Sequence, residues 1–118
     1  MQDYRKLKVW QRAQEQCLGV YLFTADFPVE ERYGMTSQLR RAAVSVGANL
    51  AEGSKRRSKI DKARIFNIAE SEAAEAMSVL DLAIRLRFGR KEEAQRLIAG
   101  YDELVAMLDS LCQQVLRS

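Results

Sequence analysis

The sequence of residues 91–116 is KEEAQRLIAGYDELVAMLDSLCQQVL, and its apolar residues follow a regular spacing. They recur at alternating steps of three and four and are Ala94, Leu97, Tyr101, Leu104, Leu108, Leu111 and Val115. An α-helix completes a turn every 3.6 residues or so, about the mean of these steps, so this spacing places those side chains on one face. The stretch therefore predicts a long amphipathic helix with one buried face.

Three more stretches of the chain show the same helical spacing. The four predicted helices span about residues 4–25, 34–53, 59–87 and 91–116. Short connections between successive helices favour antiparallel neighbours, and the first and last helices then also become neighbours. We therefore predict a single all-α domain over residues 1–118, folded as an antiparallel up-down-up-down four-helix bundle.

The predicted helix boundaries depend on a few residues with strong local preferences. Pro28 stops the first helix, because proline cannot continue a helix and biases the preceding residue toward extended geometry. Gly53 is expected to cap the end of the second helix, and Ser58 the start of the third. Phe88-Gly89 ends the third helix.

The other three helices also have predicted inward faces. These are Trp10, Ala13, Cys17, Val20 and Thr24 in the first; Met35, Leu39, Ala42, Val46 and Leu50 in the second; and Ile65, Ile68 or Ala69, Glu72, Ala76, Val79, Ala83 and Leu86 in the third. Because Trp10 opens the first of these faces, we expect it to be largely buried. Cys17 and Cys112 could face each other across the first and fourth helices, as two reduced thiols.

The chain of 118 residues contains no histidine, which excludes many kinds of site. Catalytic Ser-His-Asp and Cys-His groups, His-containing zinc sites and the Glu-x-x-His di-iron site all require that residue. The sequence also has no P-loop and no G-x-G-x-x-G motif. We expect no enzymatic activity, no cofactor and no bound metal. Because the N-terminus lacks an apolar signal core and no apolar run is long enough to span a membrane, we expect a cytoplasmic protein.

Positive charge is concentrated in the first half of the chain. Residues 1–64 hold 13 Lys/Arg against 7 Asp/Glu, a net charge of +6, whereas residues 65–118 hold 6 against 9, a net charge of −3. The densest basic run spans residues 55–64, and its cations are Lys55, Arg56, Arg57, Lys59, Lys62 and Arg64.

This basic run has two interpretations. Such runs are usually solvated connections or helix starts. The functional interpretation is an anionic partner, RNA or DNA, whose phosphates the cations would neutralise without reading sequence. Further candidates for the same surface are Arg5, Lys6, Lys8 and Arg12.

The second helix also carries a polar stripe beside its apolar face. Its members are Arg41, Ser45, Asn49 and Glu52, flanked by the small residues Ala42, Ala48 and Ala51. One interpretation is an exposed face; the other, which we favour, is a buried polar seam that forms an oligomer interface. Buried charges must pair, and the candidate partners for Arg40 and Arg41 are Glu72 and Glu75 on the third helix. We interpret these carboxylates as salt-bridge partners, since oxygen ligands alone make a transition-metal site unfavourable.

Several of these stretches resemble the 23S ribosomal RNA intervening-sequence protein family, also called the four-helix-bundle protein family. The resemblance is carried by Lys8-Val9-Trp10, Phe27-Pro28, Tyr33 to Val46, Asn49 to Gly53 and Phe66 to Glu75. It covers roughly residues 5–90 and is most specific from Tyr33 to Gly53. No enzymatic activity is established for the family. Its bundles resemble the accessory protein of diversity-generating retroelements, a pentameric basic bundle that binds nucleic acid and a reverse transcriptase. The resemblance therefore implies a homo-oligomer, with five subunits favoured.

Three functional hypotheses follow from the sequence. The first is a non-catalytic homo-oligomer that binds RNA or DNA non-specifically through the run at 55–64. The alternative is an oligomeric scaffold or accessory protein that binds a protein partner and has no nucleic-acid role. An enzyme is the hypothesis with the least support. Salt dependence separates the first two, because binding to phosphates weakens steeply with salt and a mainly apolar protein interface does not.

Overall fold

The structure is a computed structural model that describes residues 3–118. Its four α-helices are α1 (Lys8–Thr24), α2 (Met35–Ser54), α3 (Lys59–Leu86) and α4 (Lys91–Arg117), and two short 3₁₀ helices span Tyr4–Lys6 and Val29–Glu31. Within residues 3–118 there is no β-strand. The helices form a bundle about 45 Å long, in which α3 packs between α2 and α4 and α1 packs on both α2 and α4. The predicted antiparallel four-helix bundle is confirmed.

The core of the bundle follows the predicted inward faces of α2 and α4. All five predicted residues of α2 are buried: Met35, Leu39, Ala42, Val46 and Leu50. On α4 the predicted face is buried from Ala94 through Leu108, whereas Leu111 and Val115 are only partly covered. The apolar face of α4 is thus less completely buried at its C-terminal end, where Leu111 and Val115 line a cavity.

The predicted faces of α1 and α3 are rotated slightly from the observed ones. On α1, Val9 and Phe23 are buried, and Trp10, which we expected to be largely buried, is partly buried and packs against the core. The helix starts at Lys8 because the backbone of Leu7 is extended. Tyr4, in the preceding 3₁₀ turn, makes an edge-to-face contact with Trp10, and the two ring centroids are 5.2 Å apart. On α3, Ala69 faces the core, and Ile68 is 38% exposed.

The helix ends show which local signals act as caps. Ser58 caps α3 as predicted, since its Oγ accepts a hydrogen bond of 3.0 Å from the Asp61 backbone N–H. The prediction for Gly53 is wrong, because Gly53 is buried inside α2 and Lys55 forms the C-cap. The end of α3 is formed by Arg87 in the left-handed conformation, with φ of 62°.

The two cysteines do not face each other. Gln16, next to Cys17, donates a hydrogen bond of 2.8 Å to the Leu97 carbonyl, so Cys17 lies level with the first half of α4. Cys112 lies near the other end of α4, where its Sγ is 3.7 Å from the Ala63 carbonyl of α3. The expectation that these thiols meet fails because the register of α1 on α4 sets them several helical turns apart.

Candidate nucleic-acid interface

The basic run predicted from the sequence forms the turn between α2 and α3 and the first two turns of α3. The run begins directly after α2 ends at Ser54 and includes Ser58, whose side chain caps α3. Lysine and arginine dominate this connection, and the side chains from Lys55 through Ile60 are all exposed. The local sequence thus produces a tight, solvated turn with closely spaced positive charges.

Three of the six cations in the run have partners within the bundle. Arg56 pairs with Glu52 at 2.6 Å, and Arg64 lies 3.8 Å from Asp61. The Nζ of Lys62 donates a hydrogen bond of 2.8 Å to the Ser54 carbonyl and so satisfies an acceptor at the end of α2.

The other three cations are Lys55, Arg57 and Lys59. Among residues 3–118, no carboxylate lies within ion-pair distance of any of them. These three positions therefore offer an anionic partner positive charge that no carboxylate of the described chain neutralises.

The fold brings further cations to the same end of the bundle. We call this the basic end and define it by residues 3–9, 52–64 and 109–118. It holds ten Lys/Arg against four Asp/Glu, a formal charge of +6, which leaves −3 for the rest of the chain. Arg5, Lys6 and Lys8 belong to it, as does Arg117 at the end of α4. By contrast Arg12 pairs with Glu103 at 3.1 Å and lies outside it.

A cavity of about 290 Å³ opens at the basic end, where the N-terminal segment, the α2–α3 turn and the end of α4 meet. Its lining residues are Leu7, Ser54, Arg57, Lys59, Lys62, Phe66, Leu111, Val115 and Ser118. The lining combines apolar side chains with three cationic ones and contains no aspartate or glutamate side chain. This cavity could not be predicted from the sequence, because its lining comes from three segments that lie far apart along the chain.

The polar stripe of α2 lies on the outside of the chain. Arg41, Glu52 and Glu75 are exposed, and Ser45, Asn49 and Glu72 are half-buried. Within a single chain the stripe is therefore not a buried seam, and its role in an oligomer interface stays a prediction. The amide of Asn49 donates to the Ser45 carbonyl at 2.8 Å, so these two side chains are satisfied along their own helix.

Arg40 also differs from its predicted pairing with the glutamates of α3. Its Nε donates a hydrogen bond of 2.8 Å to the Oγ1 of Thr24, and its guanidinium lies 4.5 Å from the centre of the Tyr21 ring. Arg40 points toward α1 because it lies about 100° around α2 from Arg41.

Arg41 is the arginine that acts on the α3 carboxylates. Partial burial raises the pKa of Glu72, the neighbouring Glu75 raises it further, and the positive charge of Arg41 opposes both effects. No ion pair within 4.0 Å joins Arg41 to either glutamate in the described part of the chain. The three side chains form a loosely coupled charged group on the outer face of α2 and α3.

Sequence reasoning missed an exposed apolar patch on α1 and α2. We call it the outer patch; its members are Leu18, Tyr21, Leu22 and Val44. Leu18 and Leu22 are 68% and 78% exposed. Arg40 of α2 contacts Tyr21 of α1, and Val44 lies one turn further along α2 from Arg40. The signal in the sequence was apolar residues at outward positions of α1.

Residues 3–118 contain no group of three or more His, Cys, Asp or Glu side chains arranged to hold a metal ion. None of the four helices described above is long and apolar enough to cross a membrane.

The fold and this surface define a small antiparallel four-helix bundle with one strongly basic end. The family model of the 23S rRNA-intervening sequence protein matches residues 5–110, so the chain belongs to that family. A similar solved structure is that of a protein of unknown function from the S23 ribosomal protein family of Bacteroides thetaiotaomicron VPI-5482. The two share 26% sequence identity and a TM-score of 0.79, over 88% of this chain and 97% of that chain. We found no curated protein that matches the chain.

Proposed function

We propose that this protein is a non-catalytic, homo-oligomeric, cytoplasmic bundle that binds RNA or DNA through its basic end without reading sequence. The observation that carries the proposal is the charge of +6 gathered at one end of a chain whose total is only +3. Three segments that are distant in the sequence contribute to that charge, so the fold itself concentrates it. A surface of this kind neutralises phosphates and releases their counterions, which drives binding independently of base sequence.

Oligomerisation would multiply the effect. In each subunit Lys55, Arg57 and Lys59 have no carboxylate partner among residues 3–118, and an assembly repeats this group once per subunit. Contacts that are weak one at a time then act at high effective concentration along one nucleic-acid strand. Five subunits is the number that the family resemblance implies.

The test is the salt dependence of binding to a structured RNA and to duplex DNA, measured by gel shift or fluorescence anisotropy. We expect the logarithm of affinity to fall with the logarithm of salt concentration, with a slope of about −3 for each subunit that engages its three free cations. Arg56→Glu combined with Arg57→Glu should weaken binding to both nucleic acids by about tenfold or more at low salt.

The matched control is Arg85→Glu combined with Arg90→Glu, which makes the same charge change at the opposite end of the bundle. Both residues are exposed, so helix content should be unchanged. If neither nucleic acid binds at low salt, or if the two double variants weaken binding equally, the proposal is wrong.

The outer patch favours a second candidate function, an oligomeric scaffold that binds a protein partner. Exposed apolar side chains that lie side by side mark interaction surfaces more often than isolated ones do. In this alternative the positive charges of the basic end only keep the protein in solution. The two functions separate experimentally by their salt dependence, because binding to phosphates weakens steeply with salt and partner binding through an apolar patch would change little.

A further inference from the structure

The cavity at the basic end differs chemically from the charged surface around it. Its lining combines the cationic residues Arg57, Lys59 and Lys62 with the apolar residues Phe66, Leu111 and Val115. A bare phosphate would use only the cations and leave the apolar side chains in contact with water. The lining therefore matches a ligand that has an anionic group and a small apolar body joined to it.

The size and position of the cavity narrow the choice of ligand. A volume of about 290 Å³ lies at the lower end of the range for small-molecule sites, which suits one small ring system. The cavity also opens within the surface that carries the +6 charge, so a ligand seated there could continue into a chain of phosphates. A nucleotide within a strand has both properties: a flat base with apolar faces, and phosphates on either side.

We propose that this cavity receives one unpaired nucleotide of the bound nucleic acid, an inference that rests on the proposed function. The base lies against Leu111 and Val115, and its phosphate meets Arg57 and Lys59. The bases of a duplex are stacked and paired, so only a single-stranded or frayed nucleotide can enter. The bundle thus prefers single strands and strand ends to continuous duplex, with no preference for sequence.

Val115→Phe tests the proposal, because it fills the cavity without changing any charge. The probes are a fluorescent single-stranded oligonucleotide and a closed circular dumbbell duplex with the same number of phosphates and no free ends. Wild-type protein should bind the single strand about tenfold more tightly than the duplex, the size of effect expected from seating one base. Val115→Phe should remove that difference and leave duplex binding unchanged.

Leu116→Phe is the matched control, since Leu116 is the next residue on the same helix, is 55% exposed and does not line the cavity. It should keep the single-strand preference. Circular dichroism and thermal unfolding of both variants establish that they fold. If the wild type binds both probes equally, or if Val115→Phe keeps the preference, the inference fails and the proposed function stands. If neither probe binds at low salt, the proposed function itself fails.

A second measurement is independent of the variants. Adenosine monophosphate, inorganic phosphate and dodecanoate are titrated separately into protein with labelled methyl groups and followed by NMR. Adenosine monophosphate should shift the methyl signals of Leu7, Leu111 and Val115, and phosphate should leave them unchanged. Saturation by dodecanoate with no response to adenosine monophosphate would overturn the inference and identify the cavity as a site for an amphipathic carboxylate.

Discussion

Gly47 and Gly53 lie on the same helix and approach other side chains equally closely, yet their neighbours differ. A Cβ added at Gly53 would lie 2.7 Å from Cε1 of Phe66, whose ring is buried. A Cβ added at Gly47 would lie 2.7 Å from Oε1 of Gln14, whose side chain is exposed and flexible. The first contact can be relieved only by moving the core, and the second by rotating a surface side chain.

We expect alanine substitutions at these two glycines to shift stability in opposite directions. Gly47→Ala should raise the free energy of unfolding by about 0.5–1 kcal/mol, the usual gain when alanine replaces glycine within a helix. Gly53→Ala has the same favourable effect on the helix, but its methyl group overpacks against Phe66. The free energy of unfolding should therefore fall by about 1–2 kcal/mol. Urea unfolding followed by circular dichroism measures both. Equal changes in the free energy of unfolding would show that Gly53 and Phe66 pack less closely than the distance of 2.7 Å indicates.

The role of Gly53 illustrates what the sequence conceals at a single position. Glycine near the end of a helical stretch most often marks a cap, so the sequence predicted one there. Its actual role depends on Phe66, which is thirteen positions further along the chain and meets Gly53 only when α2 and α3 pack. Ser58 was predicted correctly because its cap is made by the next turn of the same segment.

Tyr101 is fully buried, and its hydroxyl has no hydrogen-bond partner in the described structure. Burial raises the pKa of this phenol well above its ordinary value, and the nearby Cys17 adds to the shift. An unpaired buried hydroxyl carries a desolvation cost that the same ring without the hydroxyl avoids.

Tyr101→Phe should therefore increase the free energy of unfolding by about 1 kcal/mol at neutral pH. The advantage should widen above about pH 10, because unfolded Tyr101 ionises there and the folded residue does not, so the wild type loses a contribution to stability that the variant lacks. Tyr101→Leu, which removes ring volume as well, should be less stable than the wild type. A stability loss in Tyr101→Phe would mean that the hydroxyl has a partner, such as a buried water.

The packing of α1 on α4 shows where sequence reasoning about whole helices reaches its limit. The bounds of the four helices lie close to those predicted, except that α1 starts later, because caps and breakers act within a turn or two of chain. The register between helices is set by contacts such as the Gln16 hydrogen bond to the Leu97 carbonyl. Nothing in either segment alone specifies that contact, so the predicted approach of Cys17 and Cys112 failed.

The rotation of each helix was similarly only partly predictable. The stripe of α2 was correct because its large apolar residues, Leu39 and Leu50 among them, are separated by clearly polar positions. On α1 the apolar residues surround the helix, from buried Phe23 to the exposed outer patch, so the spacing alone does not select one face. The same ambiguity concealed the outer patch.

In the folded bundle positive charge is concentrated at one end of the long axis, whereas the sequence shows only that positive charge is in excess in the first half of the chain. The basic end collects cations from the start of α1, the α2–α3 turn and the end of α4, while the rest of the chain carries a net −3. The sequence identified the run at 55–64 but could not show that Arg117 joins it. An anionic polymer is therefore attracted to the basic end and repelled by the net negative charge of the rest of the bundle, which orients its approach.

The outer face of α2 is the surface that we propose for self-association. Arg41 and the glutamates of α3 lie on one side of it, and the outer patch lies on the other, so a neighbouring subunit could cover apolar area while the charges fix its register. Apolar burial supplies most of the free energy of such contacts, and charged pairs contribute mainly specificity. A ring forms when this contact is heterologous and its rotation closes.

Light scattering should therefore give a mass several times the 13.4 kDa of one chain, with five subunits favoured by the family resemblance. Leu18→Glu should lower that mass by placing a charge in the apolar half of the contact, and Arg41→Glu should lower it by placing like charges near Glu72. Leu116→Glu is the matched control, because it charges another exposed leucine outside this face and should leave the mass unchanged. A wild-type protein that stays monomeric at micromolar concentration would contradict self-association altogether. A multimer that both variants leave intact would move the interface to another face of the bundle.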